Sequence, residues 1–137
     1  MFRIICILIF SLLILHGESF VLVTHPKSPI KNLTKSQAKS IYLKERRFWG
    51  DTKLTTLNLP PDNPLRKAFE SDVLEMTPGE LDSYWMKQHY RGHRPPYRVE
   101  SVQSILMFVK KVEGAIGYIP QRAVTDDVKV IYKGNKR

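Results

Sequence analysis

The nine residues from Asn58 to Arg66 (NLPPDNPLR) bring two side-chain amides, a rigid proline turn and an arginine close together in sequence. Asn63 has the side chain of a helix N-cap and Pro64 suits the first helical position, so a helix is expected to start here. A helix start offers amide N–H groups without intrahelical partners and the positive end of the helix dipole. An arginine on that first turn can add a pair of parallel hydrogen bonds to an oxyanion. Arg66, Asn63 and Asn58 are therefore candidate contacts for a small anion. The alternative at the same positions is an ordinary capped helix with a surface arginine.

A second constellation lies between Lys87 and Arg98, where Lys87, Arg91, Arg94 and Arg98 join His89 and His93 without an intervening acid. Tyr90 and Tyr97 interleave with these charges and supply rigid contact area, so Arg91, Arg94 and Arg98 are candidates for docking an acidic partner or an anionic polymer. The alternative is an extended connector whose charges stay hydrated. His89 and His93 have i, i+4 spacing, but Gly92 and Pro95 interrupt a helix there and no cysteine or nearby acid completes a ligand set, so no metal site is expected. Ser83, Ser101 and Ser104 fall in helical or capping contexts without a nucleophile-elbow turn, and no pair of carboxylates stands as acid and base. The chain reads as a binding protein rather than an enzyme, with no cofactor.

These residues need a scaffold, and hydrophobic patterning supplies one. Strands are expected over Phe20 to Val23, Leu54 to Leu59, Ala115 to Ile119 and Val128 to Tyr132. Helices are expected between them. Thr34 and Gln37 have capping-box spacing ahead of the stripe Ala38, Ile41, Tyr42, and Phe48-Trp49-Gly50-Asp51 closes that segment with a turn. The helix after Pro64 carries Leu65, Ala68, Phe69, Val73 and Met76 on one side, and Thr77 with Glu80 caps the next, whose stripe is Leu81, Tyr84 and Trp85. Val102, Ile105, Leu106, Val109 and Val112 form the last stripe, and the stretch from His93 to Arg98 reads as a proline-containing connector. Gly114 and Gly117 permit a close backbone approach around the apolar run that follows the last helix.

Strands alternating with helices give an α/β fold: a single three-layer domain with a mostly parallel sheet of about four strands. Ligands of such sheets sit beyond the carboxyl ends of the strands. That rule points to the turn at Asn58 and to the loop after Phe20–Val23, so Thr24 and His25 join the candidate ligand contacts as the other side of the site.

Composition sets the partner class. The first 19 residues carry Arg3, an apolar run from Ile4 to Leu15, and small residues at Gly17 and Ser19, which is the layout of a secretory signal peptide with an apolar core too short to span a membrane. The expected organisation is therefore a leader over residues 1–19 and one domain over residues 20–137. Cys6, the single cysteine, belongs to the leader, so the mature domain is expected to stand without disulfides. Loss of Arg3 and Glu18 with the leader leaves the net charge of +9 unchanged, and eight bases against Glu45 and Asp51 between Lys27 and Lys53 supply most of it. Such a charge attracts anions. For an exported protein these are phosphate-like solutes, envelope polyanions and acidic protein surfaces rather than nucleic acid.

Two segments carry a family resemblance. Leu33 to Asp51 (LTKSQAKSIYLKERRFWGD) and Glu113 to Pro120 (EGAIGYIP) resemble, in order and separation, the second lobe of the phosphate-binding proteins of ABC importers, members of the type 2 periplasmic binding protein superfamily. The matching residues are Leu33, Ile41, Tyr42, Leu43, Trp49 and Gly114 to Tyr118, and the resemblance spans roughly Phe20 to Tyr132. It implies a stand-alone periplasmic domain that binds phosphate or a similar oxyanion in transport or sensing for a membrane or envelope protein partner. In that family the ligand lies between two lobes and a turn reading Ser-Gly-Thr-Arg grips it. The corresponding residues here are Asn63, Pro64, Leu65 and Arg66, of which the arginine matches. A domain of this kind that has lost the ligand would instead be an interaction module docking through Arg91, Arg94 and Arg98.

Overall fold

The computed structural model describes residues 19–134. Of the expected leader only Ser19 falls within them, and the remainder lies outside the described residues. Among the described residues no helix is long and apolar enough to cross a membrane.

The first element of the described residues is β1 (Phe20–Thr24), all five residues of which are buried. A loop leads to α1 (Lys35–Tyr42), where the Thr34 hydroxyl accepts from the Gln37 N–H and the Gln37 side chain accepts from the Thr34 N–H, closing the capping box read from the spacing. A two-stranded ribbon follows, β2 (Phe48–Trp49) paired antiparallel with β3 (Thr52–Lys53), and leads into β4 (Thr55–Asn58). Next come α2 (Pro64–Phe69), a π-helical turn over Glu70–Leu74, and α3 (Pro78–Tyr90), whose start is closed by the second expected capping box at Thr77 and Glu80. The short β5 (Tyr97–Arg98), α4 (Val102–Lys111), β6 (Ala115–Pro120), a 3-10 turn and β7 (Lys129–Lys133) complete the order.

Five strands form one sheet in the order β5-β4-β6-β1-β7. β4 runs parallel to β5 and β6, while β1 runs antiparallel to both of its neighbours, β6 and β7. Four strands therefore share one direction and β1 alone opposes them. The sheet is mostly parallel as expected, with one strand more than the patterning indicates. The extra strand is β5, inside the stretch read as a connector: Leu57 and Asn58 pair with Tyr97 and Arg98.

The layering follows from the alternation along β6. Gly117 faces α4, since a Cβ built there would lie 2.4 Å from Cγ2 of Ile105. Tyr118 faces the other way and stacks on Phe69 at the end of α2, with ring centroids 4.5 Å apart and planes at 11°. One helix thus covers one face and the α1–α2 layer covers the other. The spacing at Gly117 leaves no room for even one methyl group beside the fully buried Ile105. Gly117→Ala is accordingly expected to lower the unfolding free energy by about 1–3 kcal/mol, read as an earlier midpoint in urea denaturation. At Gly114 the neighbour is main chain, the Lys53 carbonyl oxygen 1.9 Å from a Cβ placed there. Both glycines serve close approach, as the sequence suggests.

The direction of β1 corrects one expectation. Thr24 pairs with Ile116 near the start of β6, and its hydroxyl donates to the Ala115 carbonyl at 2.8 Å. The carboxyl end of β1 therefore meets the amino ends of β4 and β6.

Candidate anion site at the carboxyl edge of the sheet

Three of the five candidate ligand residues come together at the carboxyl end of β4. Asn58 is its last residue and is buried, with its carboxamide oxygen accepting from the Tyr118 hydroxyl. That hydroxyl in turn accepts from the Leu59 N–H at 3.0 Å. Burial pushes the Tyr118 hydroxyl pKa well above its ordinary value, an effect opposed by the Leu59 N–H and by the positive charge of Arg66. The phenol thus stays protonated and holds both the Asn58 side chain and the Leu59 backbone in place.

The chain then turns through Pro60 and Pro61 to the start of α2. Asn63 caps it as expected, its side-chain oxygen accepting from the Leu65 N–H at 2.8 Å. Pro64 has no N–H to offer, so the Arg66 N–H is the open amide of this first turn. The Arg66 guanidinium is half-buried and fully engaged on two sides: Nη1 donates to the Leu59 carbonyl at 2.8 Å and Nε donates to Glu70 Oε2 at 3.1 Å. Arg66 therefore faces a carboxylate one helical turn away, which an incoming oxyanion must displace or share. Beyond this pair opens a groove of about 860 Å³ between α2 and the start of α3, with Arg66, Lys67, Glu70, Met76 and Leu81 among its walls.

Thr24 and His25 are not part of this arrangement. Because β1 opposes the other strands, the carboxyl-end rule places its last residues at the opposite edge, where the Thr24 hydroxyl is spent on Ala115 and His25 Nδ1 accepts from the Lys27 N–H at 3.0 Å. They are removed from the ligand set. Tyr118 and Glu70 join the arrangement as positioning residues, Tyr118 holding Asn58 and Glu70 holding Arg66. Glu70 is visible in the sequence as the i+4 partner of Arg66, whereas Tyr118 needs the register of β4 against β6 to be found.

The basic stretch from Lys87 to Arg98 occupies the end of α3, the turn after it and β5. Tyr90 and Tyr97 are 85% and 64% exposed, which keeps the docking geometry read from the sequence available. Arg98 is paired with Glu100 at 3.4 Å, whereas Arg91 and Arg94 have no carboxylate partner among the described residues. His89 lies edge-on to Tyr90, and His93 Nδ1 is 3.0 Å from Gln88 Oε1. No group of three or more His, Cys, Asp or Glu side chains is placed to hold a metal ion among the described residues.

The chain matches no protein-family model and no curated protein sequence. Solved structures do match its fold. An ABC-type phosphate transport receptor from Vibrio cholerae is 22% identical with a TM-score of 0.68, over 83% of this chain and 45% of the receptor. A protein from Clostridium perfringens assigned as a phosphate ABC transporter substrate-binding protein, solved with bound phosphate, is 25% identical with a TM-score of 0.70, over 83% of this chain and 44% of its own. PstS from Borrelia burgdorferi is 15% identical with a TM-score of 0.65, over 84% of this chain and 47% of its own. The chain spans less than half the length of each. Its fold is that of one lobe of these receptors.

Proposed function

We propose that this chain is an exported, non-enzymatic solute-binding domain for a small oxyanion, phosphate foremost, acting in transport or sensing with a membrane or envelope partner. The observation that carries this reading is the half-buried Arg66 on the first turn of α2, beside an open amide and the Asn58–Tyr118 pair, at the carboxyl edge of the sheet. The fold shared with a receptor solved with bound phosphate supports it. Asn58, Asn63 and Arg66 are the proposed contacts. The site is one-sided, and a second protein body would close it.

The test is thermal unfolding at low salt with phosphate, sulfate, phosphonate or chloride. A ligand at about 100 times its dissociation constant adds roughly 2.7 kcal/mol to the native state, or a rise of roughly ten degrees in a domain of this size. The rise is expected to be selective for phosphate and absent in Arg66→Ala. Glu70→Gln removes the competing carboxylate and is expected to tighten phosphate binding. An equal response to every polyvalent anion, unchanged in Arg66→Ala, would refute the reading.

One observation favours a second reading. Arg66 is already paired with Glu70, while among the described residues Arg91 and Arg94 have no carboxylate partner and lie near exposed Tyr90 and Tyr97. Under this reading the fold is an interaction module that docks an acidic partner, and Arg91→Ala with Arg94→Ala weakens retention on an anionic polymer while Arg66→Ala leaves it unchanged.

A further inference from the structure

At the opposite end of the sheet from Arg66 lies a small notch whose side chains are all basic. Lys44 and Arg47 come from the turn after α1, and His93 and Arg94 from the turn after α3, with the Gly92 main chain between. These segments are distant in sequence and are fastened together by the Tyr84 hydroxyl, which donates to the Leu43 carbonyl. Arg47 marks the location, since its carbonyl accepts from the Leu54 N–H just before β4 begins.

Lys44 and the Gly92 turn are fixed by their backbone, while Arg47 and Arg94 are exposed at the rim. Lys44 is a non-glycine residue in the left-handed region at φ 63°, and Gly92 turns the second segment at φ 79°. Lys44 is half-buried, and its ammonium pKa is lowered by burial and by the neighbouring charges of Lys53 and Arg47. Among the described residues none of Lys44, Arg47 and Arg94 has a carboxylate partner, and the adjacent Glu45 is exposed and unpaired with them. The fold thus gathers like charges around a concavity and pairs none of Lys44, Arg47 and Arg94 with a carboxylate among the described residues, although Glu45 lies near enough to act on the Tyr84 hydroxyl; an incoming anion relieves the repulsion. The space measures about 200 Å³. That is room for a compact phosphate or diphosphate group.

We propose that this notch is a second anion site, independent of the one at Arg66, for a compact phosphate-type group carried by an inorganic ion or by the end of a phosphomonoester. Lys44 and Arg47 provide charge from one side. Arg94 supplies the planar fork that matches a phosphate, and the main chain at Gly92 permits close approach.

Amide NMR of the full-length protein tests this, with inorganic phosphate, diphosphate and glycerol phosphate titrated at constant ionic strength against chloride. Signals of Lys44, Gly92, His93 and Arg94 are expected to shift along a saturating curve with at least one of the three, in Arg66→Ala as in the parent. The double variant Arg47→Ala with Arg94→Ala is expected to weaken that binding tenfold or more while the remaining spectrum keeps its dispersion. Shifts that never saturate and are matched by chloride overturn the proposal, as do saturating shifts that survive the double variant. The signals of Asn63 and Arg66 in the same spectra report on the carboxyl-edge site separately, so failure of one site is distinguishable from failure of the other.

Discussion

Phe69→Ala is expected to cost about 3–5 kcal/mol of unfolding free energy, a large part of the 5–15 kcal/mol that holds a typical domain together. Phe69 is fully buried at the end of α2. Its ring stacks on Tyr118, lies 4.5 Å from the Tyr42 ring of α1, and receives Phe20 of β1 edge-on at 5.8 Å. One side chain thereby joins two helices to two strands, and its removal leaves a cavity that none of the four elements can fill alone. A urea titration should show an earlier midpoint with an unchanged slope. Phe69→Leu should lose less, because most of the volume survives.

Tyr118→Phe separates polar from apolar contributions at the same place. The ring keeps its stack on Phe69, but the Leu59 N–H loses its acceptor and Asn58 loses its donor. Each buried polar group left unmatched costs about 1–3 kcal/mol. The substitution should also weaken oxyanion binding, because Leu59 provides the carbonyl that holds Arg66. A double-mutant cycle with Asn58→Ala should give a coupling of about 0.5–3 kcal/mol. The pH dependence has a definite sign. Burial raises the Tyr118 pKa in the fold, so above pH ~10 the unfolded chain releases this proton while the native state keeps it. Stability therefore falls as pH rises through that range, and Tyr118→Phe should flatten the fall. The buried Tyr42 hydroxyl, 2.9 Å from the Leu57 carbonyl, contributes with the same sign, as do the raised hydroxyls of Tyr84 and Tyr132, while the lowered Lys44 ammonium opposes them.

Much of this architecture can be read from local pattern, because caps and stripes are local. Thr34, Thr77 and Asn63 announce the helix starts that the structure contains, and the apolar runs beginning at Phe20, Leu54, Ala115 and Val128 overlap its strands β1, β4, β6 and β7. The direction of β1 is not a local property: Phe20–Thr24 is buried throughout and would read the same run either way. Hence the sequence pattern places Thr24 and His25 at the carboxyl edge, whereas the strand direction puts them at the opposite one. β5 has no local signal, because two exposed residues become a strand only through their parallel register with Leu57 and Asn58. At the carboxyl edge, Asn58, Asn63 and Arg66 are close in sequence, and the fold keeps them together. Tyr118 joins them through pairing of β4 with β6, and Lys44 lines one notch with Arg94 where Tyr84 reaches the Leu43 carbonyl, contacts that no spacing along the chain displays.

The insertion of β1 between β6 and β7 also dictates the order in which the domain can assemble. Val21 pairs with Ile119 on one side and Lys133 on the other, so both partners of β1 come from the far end of the sequence. A nascent chain that has reached only α4 carries β1 with neither neighbour, its five apolar-facing residues open to other chains. Closure waits for the last strand, and pairings of such long sequence separation slow folding relative to a domain built from local contacts. The sheet is thus finished by its first strand, which is made earliest and is among the last to be enclosed.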